Sequence, residues 1–131
     1  MITLDTNILV RFLVQDDSEQ ASKARAFLLD ALATGGLCFV SDIVLCELVW
    51  VLERSYEFRP EEIRHALRRL FLARQLTFSS PEQLQKALAA YEKGRGGFAD
   101  YLIGEHGRSH GSDHVVTFDK DLLKEPGFRA P

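Results

Sequence analysis

Apolar stretches of four residues alternate along this chain with longer segments whose apolar residues recur every three or four positions. The two patterns ask for different partners. A short apolar block buries as a strand covered on both faces, whereas the 3–4 spacing lays one apolar stripe along a helix. The blocks fall at residues 1–4, 37–40, 76–79 and 115–118, with a weaker fifth at 128–130. Between them, Ala21, Ala24, Phe27, Leu28, Ala31 and Leu32 share one helical face. Ile63, Ala66, Leu67, Leu70 and Phe71 share another, and Leu84, Ala87, Leu88 and Tyr91 a third. Strands alternating with helices imply a three-layer α/β/α fold around a parallel, four- to five-stranded sheet.

Local signals punctuate this plan. A short helix is expected over 7–13, and Asp16-Asp17-Ser18 offers several N-caps to the next, which Gly35-Gly36 stops. Ser41 or Asp42 caps a helix running to about residue 53 that is apolar nearly all round, and so is expected to be deeply buried. Pro60 opens another helix. Ser80-Pro81-Glu82-Gln83 combines an N-cap, a first-turn proline and a capping-box glutamine. Gly94-Arg95-Gly96-Gly97 reads as a flexible loop leading into a helix over 99–108.

A length of 131 residues fits one domain, 1–131, with a single core. No apolar run approaches the roughly 20 residues that a membrane-spanning helix needs. The first apolar run carries Asp5 and Arg11, unlike a signal peptide. Cys38 and Cys46 lie in apolar surroundings without His or Cys at metal-ligand spacing, as expected of buried thiols in a reducing cytoplasm. The net charge of −3 argues against a wholly basic nucleic-acid surface but leaves room for a basic rim around an acidic pocket.

Four acids stand out against this background. Asp5 follows the first strand, Asp119 follows the fourth, and Glu47 is the only charge between residues 43 and 52. Asp100 lies near the start of its helix. Ligands of open parallel sheets bind beyond the carboxyl ends of the strands. Asp5, Asp100 and Asp119 fall on that edge, and Glu47 reaches back because helical side chains lean towards their N-terminus. Oxygen-only ligands select Mg²⁺ or Mn²⁺ over zinc. Such ions activate water and stabilise a phosphodiester's attacking and leaving oxygens, which makes phosphodiester hydrolysis the expected chemistry. Each acid also has a local reading. Asp5 can cap the following helix, Asp100 can complement a helix dipole, and Asp119 can cap the turn at 120–123.

The motifs around these acids resemble those of PIN domains, and in particular of VapC-type ribonuclease toxins. Leu4-Asp5-Thr6-Asn7-Ile8-Leu9 is similar to the first motif, and Ser41-Asp42-Ile43-Val44-Leu45-Cys46-Glu47-Leu48 to the second. Asp100-Tyr101-Leu102-Ile103 resembles the third, and the Thr-x-Asp of Thr117-Phe118-Asp119 the fourth. The resemblance implies that Asp5, Glu47, Asp100 and Asp119 are a catalytic quartet holding Mg²⁺ or Mn²⁺. Thr6, Asn7 and Thr117 would be its polar support, with Asp121 an outer acid. It also implies endoribonuclease action on tRNA or ribosomal RNA, a cognate small antitoxin and a homodimer. The alternatives are a PIN-like RNA-processing nuclease and a catalytically silent RNA- or protein-binding module.

Arg11, Lys93, Arg95, Arg108 and Lys120 are candidate phosphate contacts, each with a reading as ordinary surface charge. His106, His110 and His114 recur every four residues, but the glycines and serine between them suggest a fraying helix end. Trp50 is expected in the core or on a dimer surface. A phosphoryl-transfer enzyme would want Asp-x-Asp after its first strand, where this chain has Asp5-Thr6-Asn7.

Overall fold

The structure, a computed structural model, describes residues 1–14 and 18–131. The chain divides into two compact units, Met1–Ser79 and Ser80–Pro131.

The first unit runs β1 (Ile2–Thr3), α1 (Thr6–Val14), α2 (Ser18–Ala33), β2 (Cys38–Val40), α3 (Asp42–Ser55), α4 (Pro60–Leu72) and β3 (Leu76–Phe78). Its strands are parallel in the order β1-β2-β3, so each connection crosses over through a pair of helices. Having neighbours on both sides, β2 carries the most protected strand residues, with Cys38 and Val40 at 1% and 0% exposure. The expected buried strand at 1–4 is corrected. Only Ile2 and Thr3 pair, with β2 alone in this ladder, and Leu4 is the buried residue while Met1 and Ile2 stay exposed.

The caps explain the helix ends. Of the expected N-caps for α2, Asp16 and Asp17 lie outside the described residues, and the helix begins at Ser18. At its other end the Gly36 N–H donates to the Ala31 carbonyl at 2.8 Å, with Gly35 at φ 71°. That left-handed conformation is cheap only for glycine, which is why the pair ends the helix. Ser41 caps α3, its hydroxyl accepting from the Val44 N–H at 3.2 Å. The expectation that α3 is buried all round fails. Leu45, Leu48, Val49 and Leu52 form one buried face, while Ile43 and Trp50 are exposed. Glu62 of α4 reaches back to accept from the Arg59 N–H at 2.9 Å, and Ile63, Ala66, Leu67 and Leu70 point inward.

The second unit runs α5 (Pro81–Lys93), α6 (Phe98–Ser109), β4 (Val115–Val116), a 3-10 turn (Leu122–Lys124) and β5 (Phe128–Arg129), with β4 and β5 parallel. Among the described residues the five strands thus form one ladder of three and one of two. Leu84, Ala87, Leu88 and Tyr91 of α5 are buried, and Tyr91 meets Phe98 of α6 edge-on at 6.3 Å. The capping box at the start of α5 does not form. Pro81 opens the helix, but the Ser80 hydroxyl makes no cap hydrogen bond and lies 3.5 Å from Nε2 of His106. β4 ends early because the Asp119 N–H turns back to the Thr117 hydroxyl at 3.1 Å, leaving Phe118 exposed. Among the described residues no helix is long and apolar enough to cross a membrane.

Candidate active site

In the first unit, two acids distant in sequence are tied together by one residue. Thr6 opens α1 directly after the β1 end and is the one buried polar side chain among the described residues, at 3% exposure. Its backbone N–H donates to Oδ1 of Asp5 at 2.8 Å, and its hydroxyl donates to Oε1 of Glu47. Asp5 and Glu47 are themselves exposed, so the premise of buried carboxylates is corrected for both. A charge in contact with water carries little desolvation penalty, and what fixes these acids is the threonine rather than burial.

In the second unit, Asp100 occupies the first turn of α6, half-buried, and its Oδ2 accepts from the Gly97 N–H at 2.9 Å. Asp119 is exposed beyond β4, and its Oδ1 accepts from the N–H groups of Asp121 and Leu122 at 2.9 and 3.3 Å. The local readings of these two acids are therefore present in the fold. Asp121 takes part through its backbone, its carboxylate being on an exposed residue, and Thr117 through the hydroxyl that ends the strand. Asn7 is exposed and lines a hollow of about 570 Å³ with Ile8, Arg11 and Gln20.

Across Asp5, Glu47, Asp100 and Asp119 the pattern repeats. Each carboxylate commits one oxygen to a hydrogen bond, and the other has no hydrogen-bond partner among the described residues. An oriented carboxylate with a spare oxygen is what a hard cation needs, so the donor chemistry fits Mg²⁺ or Mn²⁺. Within neither unit do three His, Cys, Asp or Glu side chains gather into a cage of their own, among the described residues.

The sequence reading missed two residues here, Tyr101 and Glu125. The expected flexible loop at 94–97 is pinned by them. The Arg95 N–H donates to Oε1 of Glu125 at 2.7 Å, and the Gly96 N–H to the Tyr101 hydroxyl at 2.9 Å. Tyr101 in turn donates to the same Glu125 oxygen at 2.7 Å. Burial, reinforced by the Glu125 hydrogen bond, pushes the Tyr101 hydroxyl up to about 12. The glycines were the available signal. Glycine marks close approach as well as freedom, and a Cβ on Gly94 would lie 1.9 Å from the Tyr101 hydroxyl.

The remaining candidates are mostly occupied with structure. Arg11 donates to Gln20 at 2.6 Å and to the Tyr56 hydroxyl at 3.2 Å, and Arg108 pairs with Glu105. Lys93, Arg95 and Lys120 are exposed. His110 caps α6, contacting the His106 carbonyl, and the histidines join no metal-binding group among the described residues. Trp50 is a surface residue with the Arg54 guanidinium 5.9 Å from its ring centre. Both cysteines are free. Cys38 is buried and Cys46 half-buried, and burial, then the Asp42 charge, push the Cys46 thiol up.

Parallel strands joined by helical crossovers place the chain among the α/β proteins. The chain belongs to the PIN domain family, whose profile matches residues 2–128 and so spans both units. A VapC ribonuclease of Aquifex aeolicus (strain VF5) is 27% identical over 129 residues, covering 98% of this chain and 94% of that protein.

Proposed function

We propose that the protein is a metal-dependent endoribonuclease acting as the toxin of a type II toxin–antitoxin pair. Residues 1–131 work in this reading as one catalytic domain. The observation that carries it is the Thr6 bridge. One buried residue there orients two acids far apart in sequence, its N–H holding the strand-end Asp5 and its hydroxyl the exposed Glu47. The VapC ribonuclease similar over nearly the whole chain supports the substrate class.

In this reading Asp5, Glu47, Asp100 and Asp119 are the residues that would hold Mg²⁺ or Mn²⁺ through their spare oxygens. Such an ion would supply an activated water and would screen the charge that develops on the phosphodiester. Thr6 holds Glu47 in place, the Gly97 N–H does the same for Asp100, and the backbone at 121 and 122 for Asp119. Of the candidate cations, the exposed Lys93, Arg95 and Lys120 would meet RNA phosphates, which fix position rather than sequence. A small antitoxin, a homodimer and a cytoplasmic setting complete the proposal, with tRNA or ribosomal RNA as substrate.

The test is RNA cleavage with and without chelator, in the wild type and in Asp100→Asn. Cleavage is expected with Mg²⁺ or Mn²⁺ alone, and Asp100→Asn is expected to lower it at least about a hundredfold, the scale of about 2.7 kcal/mol of lost transition-state stabilisation. Cleavage that survives both chelation and the substitution refutes the site. Growth arrest by the wild type alone, relieved by a co-expressed antitoxin, tests the toxin role. Harmless expression of an active nuclease favours RNA processing instead.

A further inference from the structure

Three consecutive backbone N–H groups of the glycine loop are each taken by a different side chain. Arg95 N–H goes to Glu125, Gly96 N–H to Tyr101, and Gly97 N–H to Asp100, at 2.7, 2.9 and 2.9 Å. Consecutive peptide units are rigid planes joined by two soft torsions per residue, so fixing the first two amides narrows where the third can point. That third amide is the one that orients Asp100. Tyr101 and Glu125 are also joined to each other at 2.7 Å, which closes the arrangement into a ring.

We propose that Tyr101 and Glu125 are positioning residues that lock the 94–97 loop so that the Gly97 N–H aims the Asp100 carboxylate at its metal. This rests on the proposed metal-dependent function and extends it to two residues outside the acidic quartet. The packing supports a lock rather than incidental contact. A Cβ on Gly94 would come within 1.9 Å of the Tyr101 hydroxyl and 2.5 Å of Oε1 of Glu125. One on Gly96 would come within 2.6 Å of Cδ2 of Leu122. The loop backbone therefore lies directly on the residues that hold it, and glycine is what permits this. Tyr101 is 5% exposed and stacked edge-on to Phe128 at 6.2 Å, so its hydroxyl is presented from a fixed ring. Glu125 offers one oxygen to two donors, an arrangement that suits a charged acceptor.

The test compares Tyr101→Phe, Glu125→Ala and Glu125→Gln with the wild type in the full-length chain. Mn²⁺ affinity is read from the electron paramagnetic resonance signal of the free ion, and loop closure from amide hydrogen exchange at residues 95–97. Tyr101→Phe and Glu125→Ala are expected to weaken Mn²⁺ binding about tenfold, the lower end of what outer partners of metal ligands contribute. They should also speed exchange at Gly96 and Gly97, with the melting transition still cooperative. Glu125→Gln keeps an acceptor oxygen and should fall between Glu125→Ala and the wild type. In RNA cleavage, kcat should fall and KM for RNA should rise with it, since the loop these residues hold also carries Arg95. Unchanged Mn²⁺ affinity in a variant whose loop exchanges faster overturns the link to Asp100, and unchanged exchange overturns the lock itself. A wild type that binds no Mn²⁺ defeats the metal reading, and the exchange arm still decides the lock.

Discussion

Thr6→Val isolates the hydroxyl that connects the core to the candidate site. Valine keeps the shape of the side chain and the backbone N–H bond to Asp5, and removes only the donor to Glu47. A hydrogen bond to a charged acceptor contributes about 1.5–3 kcal/mol. Two features of the structure lower that figure. Glu47 is exposed, so it can turn into water instead of remaining as an unpaired buried charge. The new methyl, in a site only 3% exposed, returns up to about 0.8 kcal/mol of apolar burial. The expected net loss is about 1 kcal/mol, or a urea midpoint lower by about 0.7 M at an unchanged slope of about 1.5 kcal/mol per M. The mechanism is checked by repeating the change in a Glu47→Ala background. There the hydroxyl has lost this acceptor, so Thr6→Val should be neutral or stabilising, giving a coupling of about 1 kcal/mol. Equal losses in both backgrounds would refute the bridge and assign Thr6 to packing alone.

Two further outcomes follow from single contacts. Gly94→Ala should destabilise by about 1–3 kcal/mol through overpacking, since its Cβ would meet the Tyr101 hydroxyl at 1.9 Å. The backbone at φ −96° already suits alanine, so a melt matching the wild type would show that the loop has room. The acid limb of stability should report Glu62, whose carboxyl the Arg59 backbone N–H, then the Arg59 side chain, hold below the usual range. A depressed folded pKa stabilises above the unfolded value of about 4.3 and loses that contribution as pH falls through the folded one. Glu62→Gln keeps an oxygen for the Arg59 N–H but cannot titrate. Its deficit against the wild type in thermal melts should therefore shrink as pH drops below about 4, and a constant deficit rules out the charge.

The helices were legible wherever a cap and an apolar stripe coincided. In α4 the proline, the glutamate two residues on, and the buried Ile63, Ala66, Leu67 and Leu70 fall as the spacing requires. Exposure was not legible, and β1 and α3 show why. Hydropathy records that a side chain avoids water, but the fold decides which sides find cover. In α3, with apolar residues nearly all round, only one face did, leaving Ile43 and Trp50 at 81% and 58% exposure. The loop at 94–97 failed for a related reason. Its partner Glu125 lies 30 residues from Arg95, and nothing local distinguishes a glycine that moves from one pressed against a tyrosine.

The acids teach something different, because the sequence set two readings of each against one another. Asp100 and Asp119 do the local work that the simpler reading assigned them, at the start of α6 and before the 3-10 turn. Yet each does so with one oxygen, and an aspartate has two. A carboxylate free to rotate would lose entropy on meeting a cation, whereas one already held by a backbone N–H has lost most of it on folding. The capping bond and the proposed metal bond are therefore not competitors for the residue. The first is what makes the second cheaper, so a helix cap at a strand's carboxyl edge strengthens the case for a site.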